Sequence, residues 1–268
     1  MLPLDNRFQF NGQSVAWGCI GQGDPLVMVH GFPWSSQAWR HIAPHLTDRR
    51  SVYYFDMIGC GQSEISEGQN VSAAVQNDLL ATLLDHWSLD CPEMVAHDFG
   101  GLAALRGHYV NGLRYRRLTL IDAVAVLPSG SPFFAHVREH EEAFAQLPAY
   151  AHDALFRAYI QRAAHKNLRE EAIEIYAQAY QGEIGQPAFY RQIAQSDTRY
   201  IEELQDQYGP MDCNVDIVWG EQDSFIPLNQ GEQLAAVLGA NSLTRVGNAG
   251  HILQEDAPEA IVAALLRA

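Results

Sequence analysis

Short apolar runs of strand length alternate along the chain with longer segments of helical period. Residues 26–30 (Leu-Val-Met-Val-His), 52–55, 93–97, 118–121, 215–219 and 242–246 read as strands. Between them, residues 36–46, 71–84, 102–110, 230–238 and 257–266 place apolar side chains at helical spacing. The strand runs are continuously apolar rather than alternating. Both faces of their sheet must therefore be covered, as in a mostly parallel α/β sheet between two helical layers. Residues 8–20 behave differently, alternating around Asn11-Gly12, which predicts an antiparallel hairpin at the sheet edge.

From 125 to 208 no strand-like run occurs. The stretch is rich in helix formers and carries tyrosines at 150, 159, 176, 180, 190 and 200. Pro128-Ser129-Gly130-Ser131-Pro132 opens it and Tyr208-Gly209-Pro210 closes it. The pattern predicts a helical lid inserted at about 126–208, after the sixth strand, within one domain spanning 1–268. Such a lid would lie over the carboxyl ends of the strands, where open α/β sheets hold ligands.

Composition narrows the function. With 47% hydrophobic and 18% charged residues in 268, the chain can bury a large core and is not disordered. A net charge of −15 and a pI near 5.0 argue against nucleic acid as a partner. The nearest thing to a basic patch is Arg114-Tyr115-Arg116-Arg117. No apolar run approaches the ~20 residues of a membrane helix. Cys19, Cys60, Cys91 and Cys213 are scattered, which argues against a disulfide framework or a cysteine zinc site. These features predict a soluble, cytoplasmic protein acting on a small molecule; they leave a homodimer open.

Candidate chemistry sits at the strand ends. Ala96-His97-Asp98-Phe99-Gly100-Gly101 occupies a strand-to-helix turn whose small residues permit a nucleophile elbow, with Asp98 where serine is usual. The plainer reading makes Asp98 an N-cap of the following helix. His30-Gly31-Phe32-Pro33 follows the first buried strand, at the position of an oxyanion-hole amide. Asp223 and His251 each follow a later strand, and Asp56-Met57-Ile58-Gly59-Cys60-Gly61-Gln62-Ser63 supplies one further loop. The order nucleophile, acid, histidine is then Asp98, Asp223, His251. Asp122, just past residues 118–121, is the alternative acid. His136-Val137-Arg138-Glu139-His140 matches a metalloprotease pattern, but its charged neighbours point to a solvated face. Gly18, Gly21 and Gly23 have the wrong spacing for a dinucleotide site.

On these motifs the sequence resembles the α/β-hydrolase superfamily over essentially its whole length. The aspartate at the elbow is similar to the branch of epoxide hydrolases and haloalkane dehalogenases. His-Gly-Phe-Pro at 30–33 and His-Asp-x-Gly-Gly at 97–101 resemble the epoxide hydrolases most closely. Phe99 stands where both groups usually carry a tryptophan that, in dehalogenases, holds the halide, and a phenyl ring donates no such bond. Phe32 likewise stands where some members carry a halide-binding asparagine. Neither does the chain carry the arginine that follows the nucleophile in defluorinating relatives.

The resemblance implies an ester formed on Asp98, with His251 activating water, Asp223 orienting the imidazole and the Phe32 and Phe99 amides holding the oxyanion. Lid tyrosines would protonate an opening epoxide: Tyr190, in a segment similar to one that carries such a residue, then Tyr150 or Tyr159, with Trp34 as a further contact to substrate. No metal or organic cofactor is required. A haloalkane or haloacid dehalogenase is the alternative, and a non-catalytic receptor on the same fold is a further one.

Overall fold

Successive side chains of a strand point to opposite faces, and here both faces are apolar. The computed structural model describes residues 1–267. Its strands are β1 (Asn6–Phe10), β2 (Gln13–Gly21), β3 (Asp24–Val29), β4 (Arg50–Phe55), β5 (Glu93–His97), β6 (Arg117–Ile121), β7 (Asn214–Gly220) and β8 (Ser242–Val246). They form one sheet in the order β1-β2-β4-β3-β5-β6-β7-β8. β1, β2 and β4 pair antiparallel and the remaining pairs are parallel. The β1–β2 hairpin turns on Asn11 and Gly12, both at positive φ (50° and 80°), the geometry that suits a tight hairpin.

The helices are α1 (Ala73–His86), α2 (Phe99–Tyr109), α3 (Pro132–Glu139), α4 (Glu141–Ala145), α5 (Ala149–Ala163), α6 (Glu170–Ala177), α7 (Gly182–Gln195), α8 (Arg199–Gln205), α9 (Leu228–Leu238), α10 (Leu253–Asp256) and α11 (Pro258–Leu266). Val27, Val29, Ala96, Leu120 and Ile217 pack in one cluster with Leu80 of α1, Leu105 of α2 and Leu234 of α9. The alternate residues Leu26, Met28, Val95 and Val218 pack with Trp39, Leu253, Ile261 and Leu265 on the other face.

Residues 36–46 form two 3-10 turns, Ser36–His41 and Ala43–His45, where the periodicity predicts one helix. Pro44 lacks the N–H that an α-helix would use there. Among the described residues no helix is long and apolar enough to cross a membrane.

Two features of the path place the site. From β4 the chain crosses over β3 to β5, which pairs with β3 on its other side, then steps outward through β6, β7 and β8. The reversal of winding direction beside β3 opens a crevice at the carboxyl ends of β3 and β5. Between β6 and β7, helices α3 to α7 build their own apolar core, in which Phe134, Phe156, Tyr180 and Phe189 cluster with Phe32 and Trp34 from the loop after β3, while Tyr200, Ile201 and Leu204 of α8 join the core beside α1 and α2. The insertion therefore packs on the loop that borders the crevice.

Candidate active site

Asp98 sits between β5 and α2 at φ 53°, ψ −125°, a left-handed conformation unusual for a residue with a side chain. Such a turn requires close backbone approach. A Cβ at Gly100 would lie 2.3 Å from the His30 carbonyl oxygen, and one at Gly31 would lie 2.2 Å from Asp98 Oδ2. Asp98 makes no side-chain cap on α2, so the capping reading fails on geometry. Its Oδ2 instead accepts the Phe32 N–H at 2.9 Å. The Phe99 N–H, first in α2, has no intrahelical acceptor.

The loops after β7 and β8 bring Asp223 and His251 to this carboxylate. Asp98 Oδ1 lies 3.4 Å from His251 Nε2, and Asp223 Oδ2 lies 2.9 Å from His251 Nδ1. Asp223 Oδ1 accepts the N–H groups of Phe225 and Ile226 at 2.7 and 2.9 Å. All three side chains are buried. Burial disfavours the imidazolium, but Asp223 and then Asp98 outweigh it and raise the His251 pKa well above the ordinary 6.5.

Asp122 is placed differently from the acid of a triad. It is fully buried at positive φ (40°), and Oδ1 accepts the Gly220 N–H at 2.9 Å. Burial and the neighbouring Asp223 raise its pKa well above a carboxyl's usual range. The imidazole is turned to Asp223.

Two buried histidines frame the site and stay neutral. His97 Nε2 donates to the His251 carbonyl at 2.9 Å, and burial with the nearby His251 pushes the His97 pKa down to about 3. His30 Nε2 accepts the Met57 N–H at 2.9 Å, so its Nδ1–H donates to the Gly31 carbonyl at 2.7 Å. Each fixes backbone that carries the site.

A cavity opens on Asp98 and His251, walled by Phe32, Phe99, Leu102, Phe134 and Phe225. A second lobe, reaching Met57, Cys60 and Val71, shares Phe32, Phe99 and Leu102 with the first. Of the four aromatic residues expected to touch substrate, only Tyr159 lines this space. Burial and then the Asp98 charge raise its pKa well above 10, so the phenol keeps its proton.

The other three expectations need correction. Tyr190 is fully buried in the insertion, its hydroxyl 2.9 Å from His152 Nδ1, because that face of α7 packs on α5. Tyr150 is 79% exposed. Trp34 is buried edge-on to Tyr176, with ring centroids 5.0 Å apart. His136, Glu139 and His140 bring potential ligand atoms within 4.8 Å of one another, but all three are solvent-exposed.

Sequence reasoning missed the Phe225 and Ile226 amides, His97 and Asp256. Asp223-Ser224-Phe225 held the signal for the first two, since an aspartate commonly accepts the N–H two residues on. Asp256 accepts the N–H groups of His165, Lys166 and Gly250 at 2.7, 2.9 and 2.8 Å. Those partners are remote in sequence or lie in a loop, so no local pattern announces them.

Residues 24–258 match the model of a family described as the alpha/beta hydrolase fold. The chain is similar to the crystal structure of an α/β hydrolase fold protein from Burkholderia ambifaria, with 51% identity over 100% of this chain and 99% of that one, and a TM-score of 0.98. It is 26% identical over 254 residues to the uncharacterized hydrolase YugF of Bacillus subtilis (strain 168), covering 88% of this chain and 86% of that protein. It is 30% identical over 129 residues to the soluble epoxide hydrolase of Corynebacterium sp. (strain C12), covering 48% and 45% respectively. With the family matched over most of its length, the chain belongs to the alpha/beta hydrolase fold family.

Proposed function

We propose that this protein is a hydrolase acting through a covalent alkyl ester on Asp98, and that its substrate is a small epoxide. The observation that carries this reading is the carboxylate at the elbow, anchored through Oδ2 by the Phe32 N–H and facing His251 through Oδ1. With Oδ2 held, Oδ1 is the oxygen free to attack a saturated carbon. Carbon–oxygen cleavage opens the ring, and the leaving alkoxide takes its proton from Tyr159, the tyrosine that lines the cavity.

In the second step His251 removes a proton from water, which attacks the ester carbonyl carbon. Oδ2 becomes the oxyanion, held by the Phe32 and Phe99 N–H groups. One such donor contributes about 3 kcal/mol of transition-state stabilisation. Collapse breaks the bond from the carbonyl carbon to the alkyl-bearing Oδ1. The diol leaves with Oδ1, which takes the proton from the His251 imidazolium; the water oxygen remains in Asp98, and the proton it brought returns to the Tyr159 phenolate. Asp223 keeps the imidazole in the tautomer whose Nε2 accepts the proton.

A carbon–halogen bond would suit the same attack without needing Tyr159, which makes dehalogenation the second reading. Phe32 and Phe99 line the cavity and offer a halide no side-chain N–H, which favours the epoxide. A receptor function has no use for the Asp98–His251–Asp223 contacts.

His251→Gln, incubated with a panel of epoxides and haloalkanes, is expected to gain the alkyl mass on the peptide containing Asp98. Loss of a general base slows the second step by about 10²–10⁴-fold while the first needs none. One turnover of wild-type enzyme in heavy-oxygen water should label Asp98 and leave the product unlabelled. Label in the product with none in Asp98 would mean direct attack by water and would end the ester reading.

A further inference from the structure

Asp122 is a buried acid for which the reaction above has no use. It lies at the end of β6, fully buried, with Oδ1 on the Gly220 N–H of β7. Its Oδ2 is buried without a hydrogen-bond donor among the described residues, an arrangement unstable for an ionised oxygen. Asp223, whose own N–H donates to the Gly220 carbonyl at 3.2 Å, is the acid that bears on it, and His251, from the loop after β8, is the other titratable group that does so. Two neighbouring carboxylates in a dry site resist ionising together, which favours a single proton held between them.

Donor counting says where that proton resides. Asp223 accepts three N–H groups: those of Phe225 and Ile226 on Oδ1 and that of His251 on Oδ2. Asp122 accepts one. The better-solvated carboxylate is the ionised one, and the poorer one carries the proton on the oxygen that lacks a donor. We propose that Asp122 is a neutral carboxylic acid that donates its Oδ2 proton to Asp223, and so acts as a positioning residue for the acid that orients His251. This rests on the assignment of Asp98, His251 and Asp223 given above. It explains why acids stand at the ends of both β6 and β7 while only one touches the imidazole: the first supplies a fourth donor to the second. With that bond Asp223 Oδ2 stays turned to His251 Nδ1.

Asp122→Asn and Asp122→Leu test this. The asparagine keeps an oxygen for the Gly220 N–H and an N–H for Asp223; the leucine fills the volume and supplies neither. Turnover by Asp122→Asn should fall no more than about threefold, and its pH profile should match wild type. Asp122→Leu should lose about 30-fold, as expected for deleting a hydrogen bond to a charged group, with the acid limb of its profile displaced. Equal losses in the two variants would overturn the proposal, as would a displaced pH profile in Asp122→Asn.

Infrared difference spectroscopy requires no substrate and so separates this inference from the assignment of activity. At neutral pH wild type should show the C=O stretch of a protonated carboxylic acid that is missing from either folded variant. If wild type and variant spectra show no such difference, Asp122 is ionised and the proposal fails, whatever the enzyme turns over. If the band is present and no panel substrate reacts, the shared proton stands and the hydrolase reading is the part that falls.

Discussion

His251 answers to two carboxylates, and the proposed ester would remove the charge of one of them. In the free protein burial lowers its pKa, but Asp223 and Asp98 raise it further, to well above 6.5. Alkylating Asp98 deletes its charge, so the imidazole gives up its proton more readily at the step that needs a base. The first step needs only an ionised Asp98 and tolerates a protonated His251. At mildly acidic pH the ester should therefore form faster than it hydrolyses. Rapid quenching should catch a burst of alkylated enzyme there and none at alkaline pH; if both steps fall off at the same pH, this account is wrong. The same raised value carries a sign for stability. A folded-state pKa above the unfolded 6.5 stabilises the fold fully below about 6.5, and that contribution fades as pH rises through the folded value. Tyr159 supplies a second test at this scale. Tyr159→Phe should slow epoxide opening by about 10²-fold or more through loss of the proton donor, yet spare alkylation by haloalkanes, whose leaving group needs no proton. Tyr190→Phe should cost far less in turnover, because that hydroxyl binds His152 away from the cavity. The reverse ranking would restore Tyr190 as the donor.

Elements, unlike side-chain directions inside the insertion, are legible in the amino-acid sequence itself. Each buried strand announces itself within five to seven residues, and the strand-end positions of Asp98, Asp223 and His251 follow from those runs. The insertion resists such reading for a physical reason. Helices α3 to α7 bury aromatic residues against one another as well as against the cavity, so Tyr190 and Tyr159 look alike locally. Only the packing of α7 on α5 turns one inward. The turn at 36–46 shows the converse, a helical period overridden by Pro44. Asp256, on α10, is the clearest case of a tie that no motif reveals. It binds amides just beyond α5 and in the loop carrying His251. Asp256→Ala leaves three N–H groups without their charged acceptor, costing about 3–5 kcal/mol. For a chain of this size that corresponds to a fall of about 10 °C in Tm. Calorimetry that finds the variant within about 2 °C of wild type would show that α10 does not hold the insertion to the His251 loop.

At the scale of the whole molecule, charge selects the substrate before any contact is made. The chain carries 32 acidic against 17 basic residues, a surface that repels anions over roughly the Debye length. The cavity continues the theme. Among the described residues lining its two lobes there is no lysine or arginine, whereas Asp98 and the exposed Asp197 contribute negative charge. The one cation a carboxylate would meet in this space is the His251 imidazolium, whose charge Asp98 and Asp223 already compensate, and burying a poorly paired charge is unfavourable. Neutral epoxides should therefore be favoured over isosteres bearing a carboxylate, and haloacids should be the poorest members of a haloalkane panel. We expect kcat/KM for a neutral epoxide to exceed that of its carboxylate analogue by about 10²-fold, the size of one poorly paired buried charge after relaxation. Raising the ionic strength should narrow the gap by speeding capture of the anion while leaving the neutral substrate unaffected. The salt response separates two origins of the preference. A gap that closes fully in salt comes from the surface field alone, and one that persists comes from the cavity, which has no lysine or arginine among its described lining residues. Equal turnover of the two substrates at low salt would mean that neither the field nor the cavity wall decides specificity.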